Sequence, residues 1–184
     1  MSINILKFYV ILVGLSKLIY GDFVEYELKM LKEVPFTAPV LAHWAYKTWY
    51  LKSGIDFKIV MSDYAKRDNT DSLPMTIVAV IRNSFPVGMV SLKKTDLQTR
   101  REFTPWLSAL YVMPEFRNNG IAENLINYLL NFCKKSGINR VHLFIDKNNE
   151  DYLQNYYLKR GWNFFLQEDD HNGDAVKILS YDFM

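Results

Sequence analysis

The chain reads as a single α+β domain on a mixed, mostly antiparallel sheet flanked by helices. Three observations predict it. Strand-like and helix-like segments follow in the order β, two helices, three β, a long helix, β, a short helix and two β. Turn signals at Asn83-Ser84 and Asn172-Gly173 join strands directly, as antiparallel hairpins require. Between the hairpins one strand–helix–strand stretch supplies a crossover, which sets two strands parallel.

Each element has a local reason. Phe23 to Leu31 alternates as a strand does, and Pro35 ends it. Pro39 suits a first helical turn, where its missing N–H costs nothing. Val40 to Leu51 follows at helical spacing through Leu41, Trp44, Ala45 and Trp49, and Ser53-Gly54 closes it. Phe57 to Lys66 is a second helix, followed by a polar loop to Ser72. Met75 to Arg82 and Val87 to Lys93 are rich in β-branched residues and form the first hairpin. A charged connection from Asp96 to Thr104 leads into a buried strand, Trp106 to Met113, stopped by Pro114. The next helix is the clearest element. From Asn119 onwards Ile121, Leu125, Ile126, Leu129, Leu130 and Cys133 share one face, with Lys134-Lys135 in the last turn and Gly137 beyond it. Val141 to Ile145 is a strand and Tyr152 to Lys159 a short helix closed by Gly161. Phe164 to Leu166 and Val176 to Tyr181 make the last hairpin.

The 184 residues suit one domain with a substantial core. With 22 Lys and Arg against 20 Asp and Glu, the net charge of +2 argues against a nucleic-acid partner. One cysteine excludes an internal disulfide and a Cys-rich metal cluster, and the reading is a reduced, cytoplasmic protein. His43, His142 and His171 have no metal-ligand spacing, so no metal is expected. The aromatic content is high, with 12 Tyr, 12 Phe and 4 Trp.

Residues 1–20 stand apart from the domain at 21–184. Their apolar run, Phe8 to Leu15, is bracketed by Lys7 and Lys17 and is short for a membrane span. Leu18-Ile19-Tyr20-Gly21 makes a poor signal-peptide cleavage site. A packed N-terminal helix, an extension outside the fold and a targeting or anchoring segment all remain open.

Neither common nucleotide fingerprint is present. The chemistry concentrates between the Trp106 strand and the long helix, in Tyr111-Val112-Met113-Pro114-Glu115-Phe116-Arg117-Asn118-Asn119-Gly120-Ile121-Ala122. A helix start carries free N–H donors and partial positive charge. Gly120 permits close backbone approach, and Arg117 adds a charge suited to phosphate. The physical expectation is a pyrophosphate at residues 117–122; an ordinary β-to-α turn with a solvated Arg117 is the alternative. Cys133 sits on the apolar helix face, as a packed thiol would.

RNNGIA at 117–122 resembles the R/Q-x-x-G-x-G/A signature of the GNAT superfamily of N-acetyltransferases. Tyr157-Leu158-Lys159-Arg160-Gly161-Trp162 is similar to that superfamily's Y-x-K-x-G-F/W ending of the later helix. Leu73-Pro74-Met75-Thr76, Thr104-Pro105-Trp106-Leu107 and the Asn172-Gly173 hairpin resemble a bacterial subgroup. The resemblance covers Phe23 to the C-terminus. It implies a splayed central strand pair that accepts the pantetheine arm of acetyl-coenzyme A, the cosubstrate, along the main chain of Leu110, Tyr111 and Val112. The pyrophosphate would lie on Arg117, Asn118, Asn119, Gly120, Ile121 and Ala122, with Glu123 in the helix's first turn. Tyr157 would protonate the departing thiolate; a packed, buried role is its alternative, and Tyr156 is its near neighbour in sequence. Asp96 and Glu102 are base candidates or solvated loop charges. Trp44, Tyr46, Trp49 and Trp106 are core residues or walls of the acceptor cleft. A family Asn or Ala near the start of the Tyr-bearing helix has no clean counterpart, Asn149 and Leu153 being nearest. The implied reaction is acetyl transfer to a primary amine on a small molecule or peptide by direct attack in a ternary complex. A non-catalytic acyl-coenzyme A sensor is the alternative. Homodimerisation is left open.

Overall fold

The computed structural model describes residues 24–51, 53–67, 72–146 and 150–183. The expectations for residues 1–20 and Asn149 lie outside them. Seven strands among the described residues form one sheet in the order β1-β2-β3-β4-β5-β7-β6. They are β1 (Glu27–Met30), β2 (Met75–Ile81), β3 (Phe85–Lys93), β4 (Trp106–Val112), β5 (Arg140–Asp146), β6 (Asn163–Asp169) and β7 (Ala175–Asp182). The helices are α1 (Ala38–Ala45), α2 (Phe57–Ala65), α3 (Ile121–Lys135) and α4 (Glu150–Leu158). All pairings are antiparallel except β4 with β5, the crossover spanned by α3. The expected mixed, mostly antiparallel α+β fold is the one observed.

The sheet separates two apolar layers. On one face α3 lays Ile121, Leu125, Ile126, Leu129 and Cys133 over Ile77 and Ala79 of β2, Leu107 of β4 and Leu143 of β5. On the other, α1 and α2 bring Leu41, Ala42, Ala45, Val60 and Tyr64 against Val78, Val80 and Met89. Covered on both faces, β2 is buried along its whole length and β3 along nearly all of it. Their runs are therefore apolar without alternation. A third cluster, Leu97, Trp106, Val176 and Ile178, fills the end under the Gln98–Arg100 turn.

Four details differ from the sequence reading. β1 is confined to Glu27–Met30 rather than running from Phe23 to Leu31. The first helix is α only to Ala45 and continues as a π-turn, Tyr46–Tyr50. β6 extends to Asp169 rather than ending at Leu166. The last hairpin is not a two-residue Asn-Gly turn. Five residues close it, with the Asp170 carboxylate accepting from the Asn172 and Asp174 N–H groups at 2.7 and 3.0 Å.

Candidate acetyl-coenzyme A site

The centre of the sheet opens as a V. β4 and β5 meet at Trp106 and His142, where the His142 N–H donates to Pro105 O at 2.9 Å. Beyond that point β4 stays with β3, and β5 pairs with β7 from Arg140 to Asp146. A bulge in β4 helps to separate them. Ser108 pairs with Ser91 and Tyr111 with Met89, so Val90 alone opposes both Ala109 and Leu110. Ala109 adopts φ +52°, a region that costs a non-glycine residue about 1–2 kcal/mol. Ala109, Leu110 and Tyr111 are half-buried between fully buried neighbours. Among the described residues, the main chain of Leu110 and Tyr111 has no ladder partner on the side of the gap.

At the end of β4 the chain turns through Pro114–Phe116, anchored by buried Phe116. Arg117 is extended and its Nε donates to Val112 O at 3.2 Å, tying the loop to the strand end. The Val112 carbonyl is thus already engaged. Asn118 adopts φ +63°. Asn119 donates through Nδ2 to Phe116 O at 3.0 Å and Arg117 O at 2.9 Å, closing the turn on itself. Gly120 adopts φ +73°, and a Cβ built on it would meet nothing within 4 Å. The first helical bond of α3 is Asn124 N–H to Gly120 O at 3.0 Å, and no side chain caps this end. The N–H groups of Ile121, Ala122 and Glu123 consequently have no acceptor within the helix. The open space over Gly120 and these aligned donors suit a bound diphosphate. Gly88 sets the close approach of α3, since a Cβ there would lie 3.1 Å from Tyr111 O and 3.2 Å from Ile121 Cγ2.

Tyr157 is 6% exposed and belongs to the core cluster containing Val112, Ile121 and Ile145. It is packed edge-on between Tyr156, 5.3 Å away, and Trp162, 5.6 Å away. Burial pushes its phenol well above the usual range, Tyr156 adds to the rise and Arg160 opposes it. The group is fully protonated at neutral pH. Tyr156 is half-buried and lies under the Arg160 guanidinium, 3.7 Å from the ring centre. Arg160 also donates to Tyr156 O at 3.0 Å and to Glu123 Oε2 at 3.1 Å, joining the end of α4 to the start of α3.

The aromatic candidates divide. Trp44 from α1 packs against Tyr111 of β4, the ring centres 5.0 Å apart and the planes tilted by 31°, on the face opposite α3, and so stands beside the gap. Tyr46 packs edge-on against Phe57. Trp49 is 40% exposed. Trp106 is not a cleft wall: it is 0% exposed, donates to Phe103 O and packs against His142 and Phe144. Asp96 is held by Lys93 at 2.6 Å and Glu102 lies 3.6 Å from Arg100, so both are ion-paired. His142 is buried among Phe103, Trp106 and Phe165, and burial lowers its pKa. Burial pushes the Cys133 thiol up to about 12, which makes it inert. Leu153 is half-buried against the core. No group of three or more His, Cys, Asp or Glu suited to a metal occurs among the described residues.

Sequence reasoning missed three features: the Ala109 bulge, the Arg160–Glu123 bridge and a buried guanidinium. Arg67 is 1% exposed, pairs with Asp63, donates to Ser91 Oγ at 3.0 Å and lies 4.0 Å over the Tyr64 ring. It pins α2 to β3. Only the three charges at 63–67, beside Tyr64, hinted at it.

The profile of the acetyltransferase (GNAT) family matches residues 39–162. The chain belongs to this family. No curated protein sequence matches it. Its fold is shared with a GNAT-family acetyltransferase from Streptococcus pneumoniae at 17% identity and TM-score 0.61, covering 86% of this chain and 100% of that one. It is shared with aminoglycoside 6′-acetyltransferase type Ii at 18% identity and TM-score 0.65, covering 86% and 97%. An aminoglycoside 6′-N-acetyltransferase solved with coenzyme A matches at 14% identity and TM-score 0.65, again covering 86% and 97%. Among the described residues, no helix is long and apolar enough to cross a membrane.

Proposed function

We propose that the chain is an acetyl-coenzyme A-dependent N-acetyltransferase that moves the acetyl group to a primary amine by direct attack in a ternary complex. The observation that carries this reading is the uncapped start of α3, open over Gly120, beside the V between β4 and β5. Membership of the acetyltransferase family supports it.

In this reading the N–H groups of Ile121, Ala122 and Glu123 hold the diphosphate, and Arg117 lends charge at the rim. The unpaired main chain of Leu110 and Tyr111 receives the pantetheine arm as an added strand would pair. A backbone N–H at the bulge polarises the thioester carbonyl as charge develops on its oxygen. The amine approaches from the face not covered by α3, past Trp44. Its nitrogen forms the bond to the acyl carbon, the C–S bond breaks, and the thiolate takes a proton from Tyr157. The amine's own proton leaves to water, and water returns one proton to Tyr157, so the phenol is restored and the transfer is proton-neutral. The transfer requires neither metal nor enzyme thiol. A reduced, cytoplasmic setting fits the single cysteine, and a small-molecule or peptide amine fits the near-neutral charge.

The test is release of free thiol from acetyl-coenzyme A with a panel of amines, for the wild type and Tyr157→Phe. Amine-dependent turnover that falls at least tenfold in the variant is expected. Turnover unchanged in Tyr157→Phe removes the acid role. Cofactor binding with no turnover on any amine would instead make the domain an acyl-coenzyme A sensor.

A further inference from the structure

We infer that Arg160 is a positioning residue for the coenzyme's diphosphate, acting through Glu123: it cancels a carboxylate charge that would otherwise oppose an anion at the start of α3. The inference rests on the reading that this helix start takes the diphosphate.

Glu123 is the third residue of α3. A carboxylate in a first helical turn is favourable to the helix itself, because it faces the positive end of the dipole. The same position sets a full negative charge against any anion gathered by the neighbouring N–H groups. Left alone, Glu123 favours the empty site over the filled one.

Arg160 comes from a different element, one residue before Gly161 and just beyond α4. Its guanidinium is held from three sides. Nη2 donates to Glu123 Oε2 at 3.1 Å, Nη1 donates to Tyr156 O at 3.0 Å, and the plane lies 3.7 Å from the Tyr156 ring centre. A planar fork fixed on a ring and a carbonyl delivers its charge to one place. Arg117, the loop's own cation, is tied through Nε to Val112 O, on the strand side of the turn. Arg160 is therefore the cation bonded to Glu123. As a stabilising contact the pair is weak, since it is partly exposed. Charge balance at the anion site gives it a role that stability does not.

The test titrates coenzyme A calorimetrically into the wild type, Arg160→Met, Arg160→Lys, Glu123→Gln and the Arg160→Met/Glu123→Gln double variant, at low and high salt. Methionine keeps an apolar stem over Tyr156 without the charge. Arg160→Met should weaken binding about tenfold, the order expected of one uncompensated charge near an anion at a surface dielectric. The loss should shrink at high salt. Adding Glu123→Gln should restore affinity to within about threefold of wild type, and Arg160→Lys should stay within the same range. Wild-type affinity in Arg160→Met overturns the inference. So does a double variant as weak as Arg160→Met, or lysine and methionine variants equally weak. Each of these leaves the cofactor reading standing. A wild type that does not bind coenzyme A overturns that reading and this inference together. Thermal unfolding of each variant separates misfolding from lost affinity, and if Arg160→Met does not fold, the lysine variant and the Glu123→Gln salt dependence decide.

Discussion

Replacing Gly88 with alanine tests how tightly the sheet and α3 define the proposed cofactor cleft. A Cβ there would lie 3.1 Å from Tyr111 O, 3.2 Å from Ile121 Cγ2 and 3.2 Å from Leu125 Cδ1. Contacts this short are tighter than ordinary van der Waals packing, so each neighbour must retreat by a few tenths of an ångström. Tyr111 O is main chain in the bulged strand, and Ile121 and Leu125 are fully buried. None can swing into solvent. Overpacking of this kind costs about 1–3 kcal/mol, and the entropy gained by replacing a glycine offsets about 0.4–1 kcal/mol. Mid-range values leave a net loss of about 1–2 kcal/mol, a fall in Tm of about 2–8 °C for a chain of this size. The displaced atoms belong to β4 beside the gap and to the first turn of α3, so coenzyme A affinity should fall with stability, by about tenfold or less. Calorimetric unfolding and coenzyme A titration measure both. An unchanged or raised Tm would refute the reasoning, because the approach of α3 to β3 would then not be limiting.

Three further outcomes follow from the same geometry. Gly120→Trp places a large side chain in the open space over the helix start and forces φ +73° on a residue with a Cβ; the fold should survive with a cost of about 1–2 kcal/mol while coenzyme A binding is lost, as circular dichroism and titration would show. Trp44→Ala removes the ring packed against Tyr111; KM for the amine should rise about three- to tenfold with coenzyme A affinity unchanged, in steady-state assays. The phenols of Tyr64 and Tyr157 are both raised by burial. A group whose pKa is higher folded than unfolded gives its full stability below the unfolded value, near 10 for a phenol, and loses it as pH rises further. Tm should be insensitive to these groups to about pH 9.5 and fall above it, less steeply in Tyr157→Phe.

How much was legible in the sequence depended on whether the signal was local. α3 could be read from its buried stripe because Ile121, Leu125, Ile126, Leu129 and Cys133 repeat at helical spacing, and all are buried. β2 and β3 could be read from composition. The turn at 117–120 was legible because Gly120 and its flanking residues carry their own backbone requirement, seen as φ +73°. What failed depends on partners distant in sequence. The Ala109 bulge exists only because β4 must match β3, and nothing in Ser108-Ala109-Leu110 states it. Trp106, read as core or as a wall of the cleft, is turned inward by the sheet onto His142 and Phe144, which bears out the core reading. Arg160 stands next to a recognisable glycine, yet its partner Glu123 is 37 residues away. The π-turn at Tyr46–Tyr50 has no local code at all.

Thiol release from acetyl-coenzyme A across an amine panel most directly tests the proposed acetyl transfer in the gap between β4 and β5, with the diphosphate on the start of α3. Saturable, amine-dependent release that disappears in Gly120→Trp is expected. Release at the background hydrolysis rate with every amine, or full turnover in Gly120→Trp, would contradict it.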